Sequence, residues 1–380
     1  MKLYTKACIT KNMSVNKIKV ILVAGARPNF MKCAPILREL DGSGSFDTLF
    51  VHTGQHYDYN MSSVFFKNLK LRPPDIFLNV GSAPRLTQIR KIGARFEKVA
   101  AGFGPDIVIV VGDVNSTLAA GLAAKKIGAL LAHVEAGLRS YDNSMPEEMN
   151  RVCTDSIADL LFTTSPDASA NLIKEGLSRE RIHFVGNVMI DTLASNLKLA
   201  ERSRVLDKLK LKKRGYYLLT LHRPSNVDDK KTLKGILEAV MKAAGPLKVV
   251  FPVHPRTEKM LKTFRLFDRL KERSGFITTR PLGYLDFLKL LKHTRMVFTD
   301  SGGIQEETAY LKVPCLTLRK NTERPITIAA GTNIIAGNTR QGIIRSFNLI
   351  SRRHIAAGPI RLWDGRAAKR IVKILKEKVR

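Results

Sequence analysis

Residues 107–135 read IVIVVGDVNSTLAAGLAAKKIGALLAHVE. The first five, Ile107–Val111, form an apolar run of strand length. A run apolar at every position suits a strand covered on both faces, as in a parallel sheet. Gly112 and Asp113 interrupt it, and Asp is favoured where a helix begins. A stretch of small and apolar residues then leads to a second run, Leu130–Val134. Strand, helix and strand within about 30 residues make a βαβ unit.

The same alternation extends in both directions. Further strand candidates are Ile18–Ala24, Thr48–His52, Leu160–Thr163 and Ile182–Val185. After a basic, polar stretch the pattern restarts at Tyr216–Leu221, Lys248–Val253, Gly275–Thr279, Met296–Thr299, Pro314–Leu318 and Asn333–Ile335. The expected fold is therefore α/β, with two doubly wound, Rossmann-like domains facing a central cleft. Residues 1–17 read as a tail, 18–195 as the first domain, 196–365 as the second and 366–380 as a closing helix. That helix carries Ala368, Ile371, Val372, Leu375 and Val379 at helical spacing. Its apolar face is short, so packing back on the body is expected over lying on a membrane.

Composition excludes several classes. With 380 residues and 44% apolar content, the chain can bury two cores. No apolar run reaches the ~18–20 residues that span a bilayer, and the N-terminus lacks a secretory signal pattern. Cys8, Cys33, Cys153 and Cys315 are far apart, with no metal-ligand or disulfide spacing. No metal is expected, and a cytoplasmic location is. The formal charge of +31 favours anionic partners. Its basic residues are spread along helices without a nucleic-acid-binding motif, so no specific nucleic acid partner is expected.

The loops after the strands carry the chemistry. Gly25-Ala-Arg27-Pro-Asn-Phe-Met-Lys32 is not the dinucleotide fingerprint, and no cofactor is expected. Instead Arg27 and Lys32 bring positive charge to a helix start, where an anion is already favoured. Asp113 sits at the cleft mouth, either capping a helix or exchanging protons. Glu135 ends a buried strand, and Glu147 follows Pro146 at a helix start. Acids brought into one pocket suit proton transfer, against the plainer alternative of a salt-bridged surface loop. His222, in Leu219-Thr-Leu-His-Arg-Pro224, ends a strand of the second half and faces those acids. Thr299-Asp-Ser301-Gly302-Gly303-Ile-Gln-Glu-Glu307 reads strand, bare glycines, helix, which is a diphosphate cradle. Glu307 suits ribose hydroxyls, Arg324 adds positive charge, and Tyr284 and Phe287 are candidates to stack on a base.

Taken together, GARPNFMK, TGQHYDYNMSSVFF (53–66), GDVNST, HVEAGLRS, PEEMNR, TLHRPSN, TDSGGIQEE and TERP resemble the non-hydrolysing UDP-N-acetylglucosamine 2-epimerases. The likeness spans about residues 18 to 365. It implies a fold like the B-type glycosyltransferases, a homodimer, and the substrate pair UDP-N-acetylglucosamine and UDP-N-acetylmannosamine. It implies acid/base roles for Asp113, Glu135, Glu147 and His222. It implies nucleotide and diphosphate contacts from Arg27, Lys32, Phe287, Ser301, Gly302, Gly303, Glu307 and Arg324. Some relatives use two glutamines to bind a second substrate molecule as activator; here Gln55 matches one and Asp58 stands at the other.

The chemistry implied is elimination. The C2 hydrogen of an amino sugar has no neighbouring carbonyl to acidify it, and the lack of a dinucleotide fingerprint argues against transient oxidation. Loss of UDP to a 2-acetamidoglucal, then re-addition, inverts C2. The alternatives are a 2-epimerase of a related UDP-diacetamido sugar and a UDP-sugar glycosyltransferase of similar fold.

Overall fold

The computed structural model describes residues 17–55, 71–272, 275–352 and 358–379. The first half is a parallel sheet of β1 (Ile18–Ala24), β2 (Phe46–His52), β3 (Ile76–Phe77), β4 (Ile107–Val111), β5 (Leu130–Ala136), β6 (Leu160–Thr163) and β7 (Ile182–Phe184). Their order is β3-β2-β1-β4-β5-β6-β7. The second half repeats the plan with β8 (Tyr216–Thr220), β9 (Lys248–Pro252), β10 (Phe276–Thr279), β11 (Val297–Thr299), β12 (Cys315–Thr317) and β13 (Asn333–Ile335). Their order is β10-β9-β8-β11-β12-β13, with every pairing parallel. The α/β reading is thus correct; β3, two residues long, was not anticipated.

Alternation within the strands explains why both faces of each sheet are covered. Along β4, Ile107, Ile109 and Val111 enter one core, while Val108 and Val110 enter the other. In β8, Tyr217 and Leu219 face one core and Tyr216 and Leu218 the opposite one. Successive side chains point to opposite faces, so a wholly apolar strand needs helices on both sides. The Ala-rich helix Asn115–Lys126 supplies one such cover, with Lys125 and Lys126 at the negative end of its dipole. Proline opens the helices Pro146–Ile157, Pro166–Lys174 and Pro255–Thr263, where its missing N–H costs nothing.

Two elements tie the halves together. Helix Val188–Ala200 packs against helix Arg27–Gly42 of the first half and against Tyr284–His293 and Gly302–Leu311 of the second. The chain's last helix, Ala367–Lys378, returns to the first half and buries Ala368, Ile371, Val372 and Leu375 in its core. Asp191 receives the backbone N–H groups of Ala367 and Ala368 at 3.0 and 2.7 Å. Burial pushes its carboxyl up to about 6, although those two bonds pull the other way. Trp363 donates its indole N–H to the Thr164 carbonyl at 2.9 Å, and Gly186 at φ +89° lets the returning Leu362 carbonyl come close. Among the described residues no helix is long and apolar enough to cross a membrane.

Candidate active site

Strand order reverses between β1 and β4 in one sheet and between β8 and β11 in the other. Ligands of open parallel sheets bind beyond the carboxyl ends of strands at such reversals. The helix after β1 carries Lys32, the loop leaving β4 carries Asp113, and the carboxyl end of β5 itself carries Glu135. The loops leaving β8 and β11 carry His222 and Ser301–Gly303.

Glu135 has the most unusual backbone of these. It holds φ +73°, and the pairing of β5 with β6 shifts register between Val134 and Ala136. Val134 enters the core on one face of the sheet and Ala136 the core on the other. Residues two apart cannot do so in a regular strand, so the bulge at Glu135 resets the alternation. A left-handed glutamate costs about 1–3 kcal/mol, and such strain gathers at functional sites. The carboxylate is 3% exposed. Its Oε2 is hydrogen-bonded by Lys32 Nζ, while Oε1 has no partner among the described residues. Burial works against charge on Lys32, but Glu135 and Asp113 outweigh it and raise its pKa. Gly112, at φ +70°, makes room for the pair: a Cβ there would lie 2.9 Å from Lys32 Nζ and 3.5 Å from Glu135 Oε2.

Asp113 stands beside this pair but is clamped. Arg151 reaches its Oδ2 with Nη2 at 2.6 Å and Nε at 3.1 Å. Burial tends to raise the Asp113 pKa; Arg151, Lys32 and Arg324 overcome that and hold it below the ordinary carboxylate range. Glu147 is half-buried at the rim of a cavity of about 350 Å³ that also meets Asp113, Gln55, Arg85 and Asn115. Its neighbour Glu148 is consumed by structure, accepting from Ser140 N, Tyr141 N, Ser140 Oγ and Arg151. Gln55 is buried, and its side-chain Oε1 accepts from Ser116 N at 3.0 Å and Ser116 Oγ at 2.8 Å. Residues 56–66 of the TGQHYD segment, Asp58 included, lie outside the described residues, as does the side chain of Arg27, which opens helix Arg27–Gly42.

In the second half, His222 Nδ1 lies 2.8 Å from Asp300 Oδ1, with its side chain 36% exposed toward the cleft. Ser301 precedes helix Gly302–Leu311, and its N–H is bonded to Thr299 Oγ1 at 3.0 Å. Gly302 is needed because a Cβ there would come within 2.5 Å of Arg324 Nη1; Gly303 has ordinary space. Arg324 is 7% exposed and held from two sides, by Glu306 at 2.9 Å through Nε and by Glu323 at 2.6 Å through Nη1. Burial would penalise its charge, but Glu306, Glu323, Glu135 and Asp113 reinforce it. Glu306 Oε2 has no partner among the described residues, and burial raises the Glu306 pKa against Arg324's pull. Glu307 is pushed by burial up to about 8, even though the Tyr284 hydroxyl donates to it at 3.3 Å. Tyr284 is itself buried in the core, so it meets the site through that hydroxyl; Phe287 is half-buried against the neighbouring cluster. Arg151 of the first half comes within 4.0 Å of Glu323 of the second, which closes the site.

The fold thus gathers Lys32, Asp113, Glu135 and Arg324 around one charged centre, with Ser301–Gly303 at its edge. Glu147 stands apart at the cavity rim and His222 at the cleft opening. Sequence reading missed Arg151, Asp300, Glu306 and Glu323. Each lies inside a motif already singled out, beside or near a residue that was picked, so the motifs were the available signal.

A family model described as UDP-N-acetylglucosamine 2-epimerase matches residues 38–376. A UDP-N-acetylglucosamine 2-epimerase of Methanocaldococcus jannaschii is 42% identical, covering 94% of this chain and 99% of its own. A UDP-2,3-diacetamido-2,3-dideoxy-D-glucuronate 2-epimerase of Pseudomonas aeruginosa is 36% identical over the same 94% of this chain and 99% of its own. The crystal structure of Methanocaldococcus jannaschii UDP-GlcNAc 2-epimerase in complex with UDP-GlcNAc and UDP has a TM-score of 0.86 at 41% identity, covering 95% of this chain and 100% of that one. That of Neisseria meningitidis UDP-GlcNAc 2-epimerase bound to UDP-GlcNAc also has a TM-score of 0.86, at 30% identity and with the same coverage.

Proposed function

The chain belongs to the UDP-N-acetylglucosamine 2-epimerase family, and on that premise we propose that it interconverts UDP-N-acetylglucosamine and UDP-N-acetylmannosamine by eliminating and re-adding UDP. The observation that carries this reading is the Glu135 carboxylate: buried, held on strained backbone, one oxygen spent on Lys32 and the other without a partner among the described residues. Such a group is oriented to take a proton and has little solvent to compete for it.

The proton on C2 passes to Glu135 as the C1–O bond breaks. The C2–H electron pair becomes the C1=C2 double bond, and the C1–O pair leaves with the β-phosphate of UDP. Backbone N–H groups at the start of helix Gly302–Leu311, with Arg324 beside them, hold that developing charge. Lys32 keeps the carboxylate in place. His222, which reaches the cleft from the other half, gives C2 a proton on the opposite face, and return of UDP to C1 completes the inversion. Asp113, clamped by Arg151 and held ionised, is suited to fixing charge around the site. Glu307 and Phe287 serve the ribose and base.

Proton NMR of the purified protein with UDP-N-acetylglucosamine is expected to show UDP-N-acetylmannosamine without added nicotinamide. Inversion of a UDP-diacetamido uronic acid alone would move the substrate assignment. Sugar transferred to an acceptor without inversion would replace the reaction class.

Free thiols at Cys33, Cys153 and Cys315 and a nucleotide-sugar substrate support a cytoplasmic setting. A homodimer is supported by exposed Leu86, Leu122, Met149 and Val152, at 41–70% exposure, on the neighbouring helices Arg85–Phe103, Asn115–Lys126 and Pro146–Ile157. Leu122→Glu with Val152→Glu should convert a sedimenting dimer to monomer; an unchanged dimer would place the interface elsewhere.

A further inference from the structure

The Asp300 carboxylate is 0% exposed and accepts hydrogen bonds at both oxygens. Its Oδ2 accepts from His222 N at 3.0 Å, Arg223 N at 2.9 Å and Asn226 Nδ2 at 3.1 Å. Its Oδ1 faces His222 Nδ1 at 2.8 Å and His222 N at 3.1 Å. A carboxylate surrounded by donors stays ionised, and the Asp300 pKa is held down by His222 and the two backbone N–H groups against the effect of burial. An ionised Oδ1 can only accept, so the proton at this contact sits on Nδ1. A neutral ring then presents Nε2 to the cleft as an acceptor.

We propose that Asp300 is a positioning residue: it fixes the tautomer and direction of His222 so that Nε2 takes and returns a proton during the reaction. This rests on the acid/base role of His222. Asp300, with no exposed surface, acts only through His222. It joins the loop after β8 to the loop after β11, so the histidine and the Ser301–Gly303 cradle are set by one side chain.

Asp300→Asn is the informative change. The three donors at Oδ2 select the amide oxygen for that position, which turns the amide NH₂ toward His222 Nδ1. Nδ1 must then accept, and the proton moves to Nε2, where the cleft needs an acceptor. Turnover is expected to fall by about 10²-fold with KM changed by less than about threefold. Nitrogen-15 NMR should show the His222 ring as Nδ1–H in the unaltered enzyme and Nε2–H in the variant. An Nε2–H ring in the unaltered enzyme would overturn the proposal, and this measurement needs no variant to fold. So would an Asp300→Asn enzyme of normal turnover alongside an inactive His222→Ala enzyme. Normal turnover by His222→Ala would instead remove the acid/base role on which the proposal rests.

Discussion

Glu135→Gln is expected to lower turnover by about 10²- to 10⁴-fold, the range for loss of a positioned base. UDP binding should stay within about threefold of the unaltered enzyme, because Arg324 and the Ser301–Gly303 backbone are untouched. The amide keeps the size of the side chain, and its oxygen can still accept from Lys32 Nζ, so the bulge at β5 and the Gly112 turn should survive. Calorimetric titration with UDP, next to steady-state rates, separates the two effects. Near-normal turnover with intact UDP binding would move the C2 base to another carboxylate. Lost UDP binding would mean that the Lys32–Glu135 pair shapes the diphosphate site itself.

Arg324→Ala should damage binding and stability together. The guanidinium is enclosed by Glu306 and Glu323, and its removal takes away the cation they share. Breaking a buried pair costs about 3–5 kcal/mol because the remaining charge is stranded. Here the low end is expected: Glu323 keeps Arg319 at 2.8 Å, and Glu306, whose pKa is already raised, can take up a proton. The measurable result is a lower denaturation midpoint and a UDP affinity reduced by more than about tenfold, the cost of a charge-assisted contact. Arg324→Lys should restore part of the stability but little of the binding, since an ammonium cannot hold Glu306, Glu323 and phosphate at once. An alanine variant as stable as the unaltered protein would show that the two carboxylates need no cation.

How much of this was readable in advance follows from range. β1, β4 and β8 were legible because strands covered on both faces are apolar throughout, and that pattern is local. β3 was not, since two residues, Ile76 and Phe77, make no periodicity. The loops after β4, β5 and β11 were legible as site elements because topology alone puts them beside the cleft. The partners that tune them were not: Asp113 with Arg151, Asp300 with His222, and Arg324 with Glu306 are pairs distant in sequence. Nothing in a single chain sequence reports such contacts. The left-handed backbone of Glu135 was equally hidden, since no glycine marks it. Helix Val188–Ala200 lies where a domain boundary was sought, and its apolar residues serve packing against both halves.

In this mechanism C2 loses its hydrogen to the protein and regains one from it. Running the interconversion in heavy water and reading C2 by NMR tests this directly. Deuterium is expected at C2 of the UDP-N-acetylmannosamine formed, and of recovered UDP-N-acetylglucosamine as the reaction reverses, with both signals lost in Glu135→Gln. Epimerised product that keeps its original C2 hydrogen would contradict the mechanism.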